Sequence, residues 1–173
     1  MFEKLSCFKA YDIRGKLNLE INENIAFKIG YAAAKKLKAS TIVVGYDARE
    51  SSPSLANSVI EGVQAYGADV LSLGLAGTEE VYHAVAYFDA DGGIEVTASH
   101  NPINYNGMKI VKAASQPLSE GEFLHIKFIA EKDNFDNFEI PGQFKDFGEC
   151  ARKAYIEKIL SFVNLKGLKP LKI

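Results

Sequence analysis

The stretch TIVVGYDARESSPSLANSVIEGVQAYGADVLSL, residues 41–73, decides the fold class. It opens on a β-branched run, Thr41 to Val44, closed by Gly45-Tyr46-Asp47. A short apolar run bounded by turn residues predicts a buried strand. After Pro53, Leu55, Val59, Val63 and Tyr66 recur on one helical face, and Gly67 supplies the stop. Ala68 to Leu73 reads as the next strand. Strand, helix and strand in this compass form a parallel βαβ unit with a right-handed crossover.

Outward from that unit the alternation continues. Ile25, Ile29, Ala33 and Leu37 repeat every fourth position behind Asn22, which is placed to cap the helix. Thr78 to Phe88 reads as a third helix, with Thr78 as cap and Glu79 and Glu80 in the first turn. Gly93 to Thr97 and Met108 to Val111 read as strands joined by a turn-rich link too short for a helix, so the sheet is expected to be mixed. A fourth helix is expected from Glu120 to Glu131. Asn134 to Gly148 has little periodicity and reads as a surface excursion or linker. Tyr155, Ile156, Ile159, Leu160 and Val163 define a last amphipathic helix, and Lys169 to Ile173 resembles the entrance to a strand. The expectation is α/β: a three-layer α/β/α domain with a mixed, mainly parallel sheet over residues 1–150. Residues 151–173 then form the helix and first strand of a second domain, with the apolar face of that helix exposed and prone to self-association.

Composition narrows the function. Of 173 residues, 47% are hydrophobic and 24% charged, the balance of a water-soluble fold. A net charge of -2 gives no broad footprint for nucleic acid. No apolar run is long enough to cross a bilayer, and the start, Met1 to Leu5, lacks a signal-peptide core. The cytoplasm is the expected compartment. Cys7 and Cys150, far apart, make a poor disulfide framework.

Chemistry concentrates in Thr97-Ala98-Ser99-His100-Asn101-Pro102 and Asn104-Tyr105-Asn106-Gly107-Met108-Lys109. A hydroxyl, an imidazole and an ammonium lie close together where a strand runs into a loop, a usual place for ligands in α/β sheets. Such a set suits phosphoryl transfer, with an oxygen nucleophile and cations for the phosphate oxygens. Taken by itself, such a loop more often is an ordinary turn whose side chains bond to backbone. A serine hydrolase is a third reading, but neighbouring Ser and His side chains diverge and no G-x-S-x-G elbow is present. Arg49 after Asp47 reads either as a site residue or as half of a structural ion pair. His83 and His125 read as packing or surface residues on helices, and Asp89 to Gly93 as a turn.

Four segments together resemble the α-D-phosphohexomutase superfamily. Thr97 to Pro102 is similar to its phosphoserine loop, and Phe8-Lys9-Ala10-Tyr11-Asp12-Ile13-Arg14-Gly15 to its amino-terminal site segment. Gly45-Tyr46-Asp47-Ala48-Arg49-Glu50-Ser51-Ser52-Pro53 and Tyr105-Asn106-Gly107-Met108-Lys109 resemble two further stretches, in the same order. Gly77-Thr78-Glu79-Glu80-Val81-Tyr82 resembles the phosphomannomutase branch, with phosphoglucomutase and phosphoglucosamine mutase as alternatives. The resemblance implies that Ser99 carries a phosphoryl group and exchanges it with a hexose phosphate through a hexose 1,6-bisphosphate. It implies that His100 and Lys109 assist proton movement and charge stabilisation, that Arg14 and Lys109 hold phosphate oxygens, and that Tyr11 borders the pocket. The Ser99 phosphate would give Mg²⁺ one ligand. The other metal ligands, and domains II–IV of such an enzyme, would lie outside this chain, which alone is expected to be inactive. The competing class is a stand-alone module that binds a phosphorylated ligand or a protein.

Overall fold

The Asn22 side chain accepts a hydrogen bond from the Ile25 N–H at 2.9 Å, and the first long helix starts there. The computed structural model describes residues 4–132, 135 and 140–169. In chain order the strands and α-helices are β1 (Ile13–Lys16), α1 (Glu23–Leu37), β2 (Thr41–Tyr46), α2 (Ser52–Ala65), β3 (Asp69–Leu75) and α3 (Thr78–Tyr87). They continue with β4 (Gly92–Val96), β5 (Tyr105–Lys112), β6 (Gln116–Pro117), α4 (Glu120–Lys132), β7 (Phe144–Asp146) and α5 (Gly148–Leu160).

The strands form one mixed sheet in the order β1-β5-β4-β2-β3-β7, with β6 paired to β5. β4, β2, β3 and β7 are mutually parallel, whereas β5 runs antiparallel to both β4 and β1. Helices cover both faces, the three-layer α/β/α arrangement expected. Alternation along β2 explains its unbroken apolar run: Ile42 and Val44 join the core with α1, α2 and α4, and Val43 joins the core with α3 and α5. On β4, Ile94 and Val96 belong to the first core, so Glu95 between them points toward the second.

Four details differ from the sequence reading. β1 had no alternating signal, yet it pairs with β5 from Ile13 opposite Met108 to Lys16 opposite Tyr105. Gly77, not Thr78, caps α3, because the Glu80 side chain reaches back to accept the Gly77 N–H at 2.8 Å. The supposed linker returns to the sheet as β7, parallel to β3, where Lys145 pairs with Asp69 at 2.7 Å. The last helix begins earlier than its apolar pattern suggests, because small residues make its contact: Ala151 and Ala154 are buried, while Ile156, Ile159 and Leu160 are exposed. The division expected at residue 150 falls inside this helix. Residues 170–173, in the expected final strand, lie outside the described residues.

α1 and α2 pack backbone to backbone. A Cβ on Gly30 would stand 2.3 Å from the Val59 carbonyl oxygen, and one on Gly62 2.1 Å from that of Phe27. Alanine improves helix propensity by about 1 kcal/mol over glycine, but here it would force the helices apart. Gly62→Ala is expected to lower stability by about 2 kcal/mol net, read as a lower urea midpoint; an unchanged midpoint would mean that the contact is loose.

Candidate active site

Ser99 and His100, two of the catalytic candidates, lie in the loop between β4 and β5. Thr97 and Ala98 are buried, and Ser99 and His100 emerge into solvent. Ser99 adopts a left-handed backbone with φ 53°, a conformation that costs a non-glycine residue roughly 1–2 kcal/mol. Its N–H is held by the Thr97 hydroxyl at 2.8 Å, and the Asn101 side chain donates to the Ala98 carbonyl at 2.9 Å. Ser99 Oγ lies 3.3 Å from His100 Nδ1, a long contact for hydroxyl and imidazole. No carboxylate bonds to His100 among the described residues, so the orienting third member of a hydrolase triad is missing.

Arg14 lies on β1, with β5 between it and the end of β4. It reaches across because its neighbour opposite is Gly107, where an added Cβ would come within 2.8 Å of the guanidinium. One terminal nitrogen donates to the carbonyls of Ile13 and Thr97, and the other faces Asp12 at 3.2 Å. The Nε–H and one further N–H have no partner among the described residues. Arg49 differs. Its terminal nitrogens donate to the carbonyls of Pro102 (2.8 Å), Tyr105 (3.2 Å), Ser99 (2.9 Å) and Asn101 (2.6 Å), and its Nε faces Asp47 at 3.4 Å.

A buried polar network supports this corner. Asn106 donates to Ser51 and Ser52 at 2.8 and 2.9 Å, and Ser52 donates to Asp47 at 2.6 Å. Two concavities open above it. Ser99 shares one of about 410 Å³ with Asp47, Arg49 and Asn101. Tyr11, 86% exposed, and Lys109 share another of about 540 Å³ with Asp12, Tyr82 and Ser119. The structure thus places Tyr11 with Lys109 and Ser99 with Arg49, and the two groups line separate hollows. Among the described residues no three His, Cys, Asp or Glu side chains converge as a metal site.

The sequence of residues 6–137 matches the model of the family described as phosphoglucomutase/phosphomannomutase, alpha/beta/alpha domain I. This chain belongs to that family. The phosphomannomutase of Escherichia coli (strain K12) is 45% identical over 99% of the chain, which covers 38% of that relative. A phosphomannomutase of Klebsiella pneumoniae is 52% identical over 76% of the chain and 85% of its own length. Among solved structures, a phosphoglucomutase/phosphomannomutase family protein from Burkholderia thailandensis superposes with a TM-score of 0.81 at 27% identity, covering 93% of this chain and 36% of its own. A structure titled as a putative phosphomannomutase from Thermus thermophilus gives a TM-score of 0.81 at 26% identity over 96% of this chain and 38% of its own. The chain therefore spans a little over a third of most of these relatives.

One residue of this mutase domain I escaped the sequence reading. Glu95 is 1% exposed, and neither carboxylate oxygen has a hydrogen-bond partner. It stands directly across from Lys109 on β5 and from Gly45 on β2, where a Cβ would meet its Oε2 at 2.7 Å. Its only sequence signal was an acid inside the run Gly-Gly-Ile-Glu-Val. Burial, then the charges of Asp47, Glu80 and Glu79, push its carboxyl up to about 9, against the opposing pull of Lys109. Below an ordinary carboxyl pKa both folded and unfolded chains hold this proton. Above it only the folded chain does, so stability falls as pH rises toward about 9, by on the order of 3 kcal/mol at pH 7. Glu95→Gln is expected to flatten that decline, so the thermal midpoint of the variant exceeds that of the parent increasingly from pH 5 to pH 9. Parallel profiles would show that Glu95 is ionised in the fold.

Proposed function

We propose that this chain is the phosphoserine-bearing first domain of an enzyme that interconverts mannose 6-phosphate and mannose 1-phosphate. Ser99 is the phosphoryl carrier. The observation that carries the reading is an exposed serine hydroxyl, held on a left-handed turn at the carboxyl end of a parallel strand, in a chain of this family. Support for mannose comes from relatives named phosphomannomutase.

In the forward half-reaction the bond between phosphorus and Ser99 Oγ breaks, and a bond forms to the free hydroxyl of the hexose monophosphate. The proton of that hydroxyl passes by way of His100 to Oγ, and Lys109 offsets charge as it moves. The resulting hexose 1,6-bisphosphate then returns its other phosphoryl group to Oγ by the reverse step. The sum is an isomerisation with Ser99 phosphorylated again. Arg14 supplies a planar fork whose uncommitted N–H groups suit phosphate oxygens. Lys109 supplies positive charge in the neighbouring hollow, and Tyr11 forms part of its rim. Mg²⁺ would take one oxygen of the Ser99 phosphate, with its remaining ligands supplied from beyond this chain; when bound, it offsets charge on the phosphate oxygens.

The same proposal places the first domain at residues 1–150 and the start of a second at 151–173. The exposed apolar side chains of α5 would then face that second domain. Domains beyond this chain complete the site, and the chain alone turns over little substrate. Among the described residues no helix is long and apolar enough to cross a membrane, and the cytoplasm is the proposed location. Incubation of the complete gene product with glucose 1,6-bisphosphate and Mg²⁺ is expected to add one phosphoryl group, placed on Ser99 by intact and fragment mass spectrometry, and Ser99→Ala is expected to take none. A phosphoryl group on another residue, or none on the parent, would overturn the assignment.

A further inference from the structure

We infer that Arg49 is a positioning residue for Ser99, fastening the loop that carries the hydroxyl rather than binding phosphate itself. The inference rests on the reading of Ser99 as phosphoryl carrier and adds to it a second arginine with a different task.

The donor groups of Arg49 are committed. Each terminal nitrogen has two hydrogens, and each donates to two backbone carbonyls: Pro102 and Tyr105 for one, Ser99 and Asn101 for the other. The Nε faces Asp47. No N–H remains for a ligand, in contrast to Arg14, where two are uncommitted. The four acceptors span the loop from the serine itself to the first residue of β5. One flat group therefore fixes both ends and the middle of the loop.

The serine is where such fastening matters. Its left-handed backbone persists only if its surroundings hold it. The Thr97 hydroxyl holds its N–H, and Arg49 holds its carbonyl oxygen. Between those two anchors the direction of Cα–Cβ, and hence the small arc that Oγ can reach, is set. Arg49 is itself anchored. Asp47 accepts the Arg49 N–H at 3.1 Å and the Ser52 hydroxyl, and the Asp47 N–H donates to Val96 at the end of β4 at 3.0 Å. The clamp is thus built on the ends of two adjacent parallel strands.

A lysine at this position would keep the charge but not the fork. Its three hydrogens sit on one atom and cannot address four carbonyls spread along a loop. Charge and geometry can therefore be separated by Arg49→Lys. The complete gene product, parent and variant, is incubated with a range of glucose 1,6-bisphosphate concentrations, and the initial rate of phosphoryl uptake on Ser99 is followed by mass spectrometry. Misplacement of a reacting group by about 1 Å costs on the order of a hundredfold in rate. The expected result is a saturating rate lower by about that factor, with the half-saturating concentration essentially unchanged. Amide hydrogen exchange should quicken across residues 99–105, while protection in α1 and α2 stays that of the parent.

A near-normal rate in Arg49→Lys overturns the inference, and a raised half-saturating concentration at a normal saturating rate overturns it and marks Arg49 as a phosphate ligand instead. Should Arg49→Lys fail to fold, Asp47→Asn gives the second test: it loosens the hold on the guanidinium, and a smaller fall of the same kind is expected. Unchanged uptake in that variant would also overturn the inference. Absence of uptake by the parent is a different failure, because it removes the reading of Ser99 on which the inference stands.

Discussion

Asp47 accepts from Ser52 and faces Arg49, and through these contacts the ends of β2, α2 and β5 are joined beneath the turn at Ser99. Each member of this network has its polar groups met by another. An unmet member in so closed a corner would cost about 1–3 kcal/mol, and the loop above would lose its support. The surrounding architecture serves this condition. The parallel strands β2 and β4 end side by side, the turn after β2 carries the acid and the arginine, and β5 begins with the asparagine that bridges to α2. The sheet supplies positions, and the polar contacts convert them into a fixed loop.

Two arginines in one corner illustrate how context divides similar side chains. Arg14 is drawn across β5 because Gly107 has no side chain to block it, and part of its fork is left over. Arg49 spends all of its donors on carbonyls and on Asp47. Glu95, between Gly45 and Lys109 in the sheet, has its carboxyl pushed up by burial first and then by the charges of Asp47, Glu80 and Glu79. Cys7, also buried and raised to about 11, remains a thiol that takes no part.

Most elements were legible because apolar periodicity and caps act over a few residues. The β-branched run at Thr41 to Val44, the Asn22 cap and the spacing of Leu55, Val59 and Val63 each specify an element locally. β1 and β7 were not legible, since their places depend on distant partners: Gly107 opposite Arg14, and Leu71 opposite Lys145, whose ammonium pairs with Asp69. The start of α5 was hidden for a related reason, as its contacts use Ala151 and Ala154 rather than large apolar side chains. In the site, Ser99 and its loop could be picked out by composition and by resemblance. The saturation of Arg49 and the burial of Glu95 could not, because both are properties of where distant strands end relative to one another.

β7 adds only three residues to the sheet, yet it occupies the side of β3 that would otherwise face solvent. The family match stops at residue 137, ahead of this strand. A polypeptide trimmed to that limit would carry a bare row of amides and carbonyls along β3, and would lose Phe147 and Ala151 from the core beneath it. Open edges of this kind recruit strands from other molecules. The short return of the chain therefore acts as a selvedge.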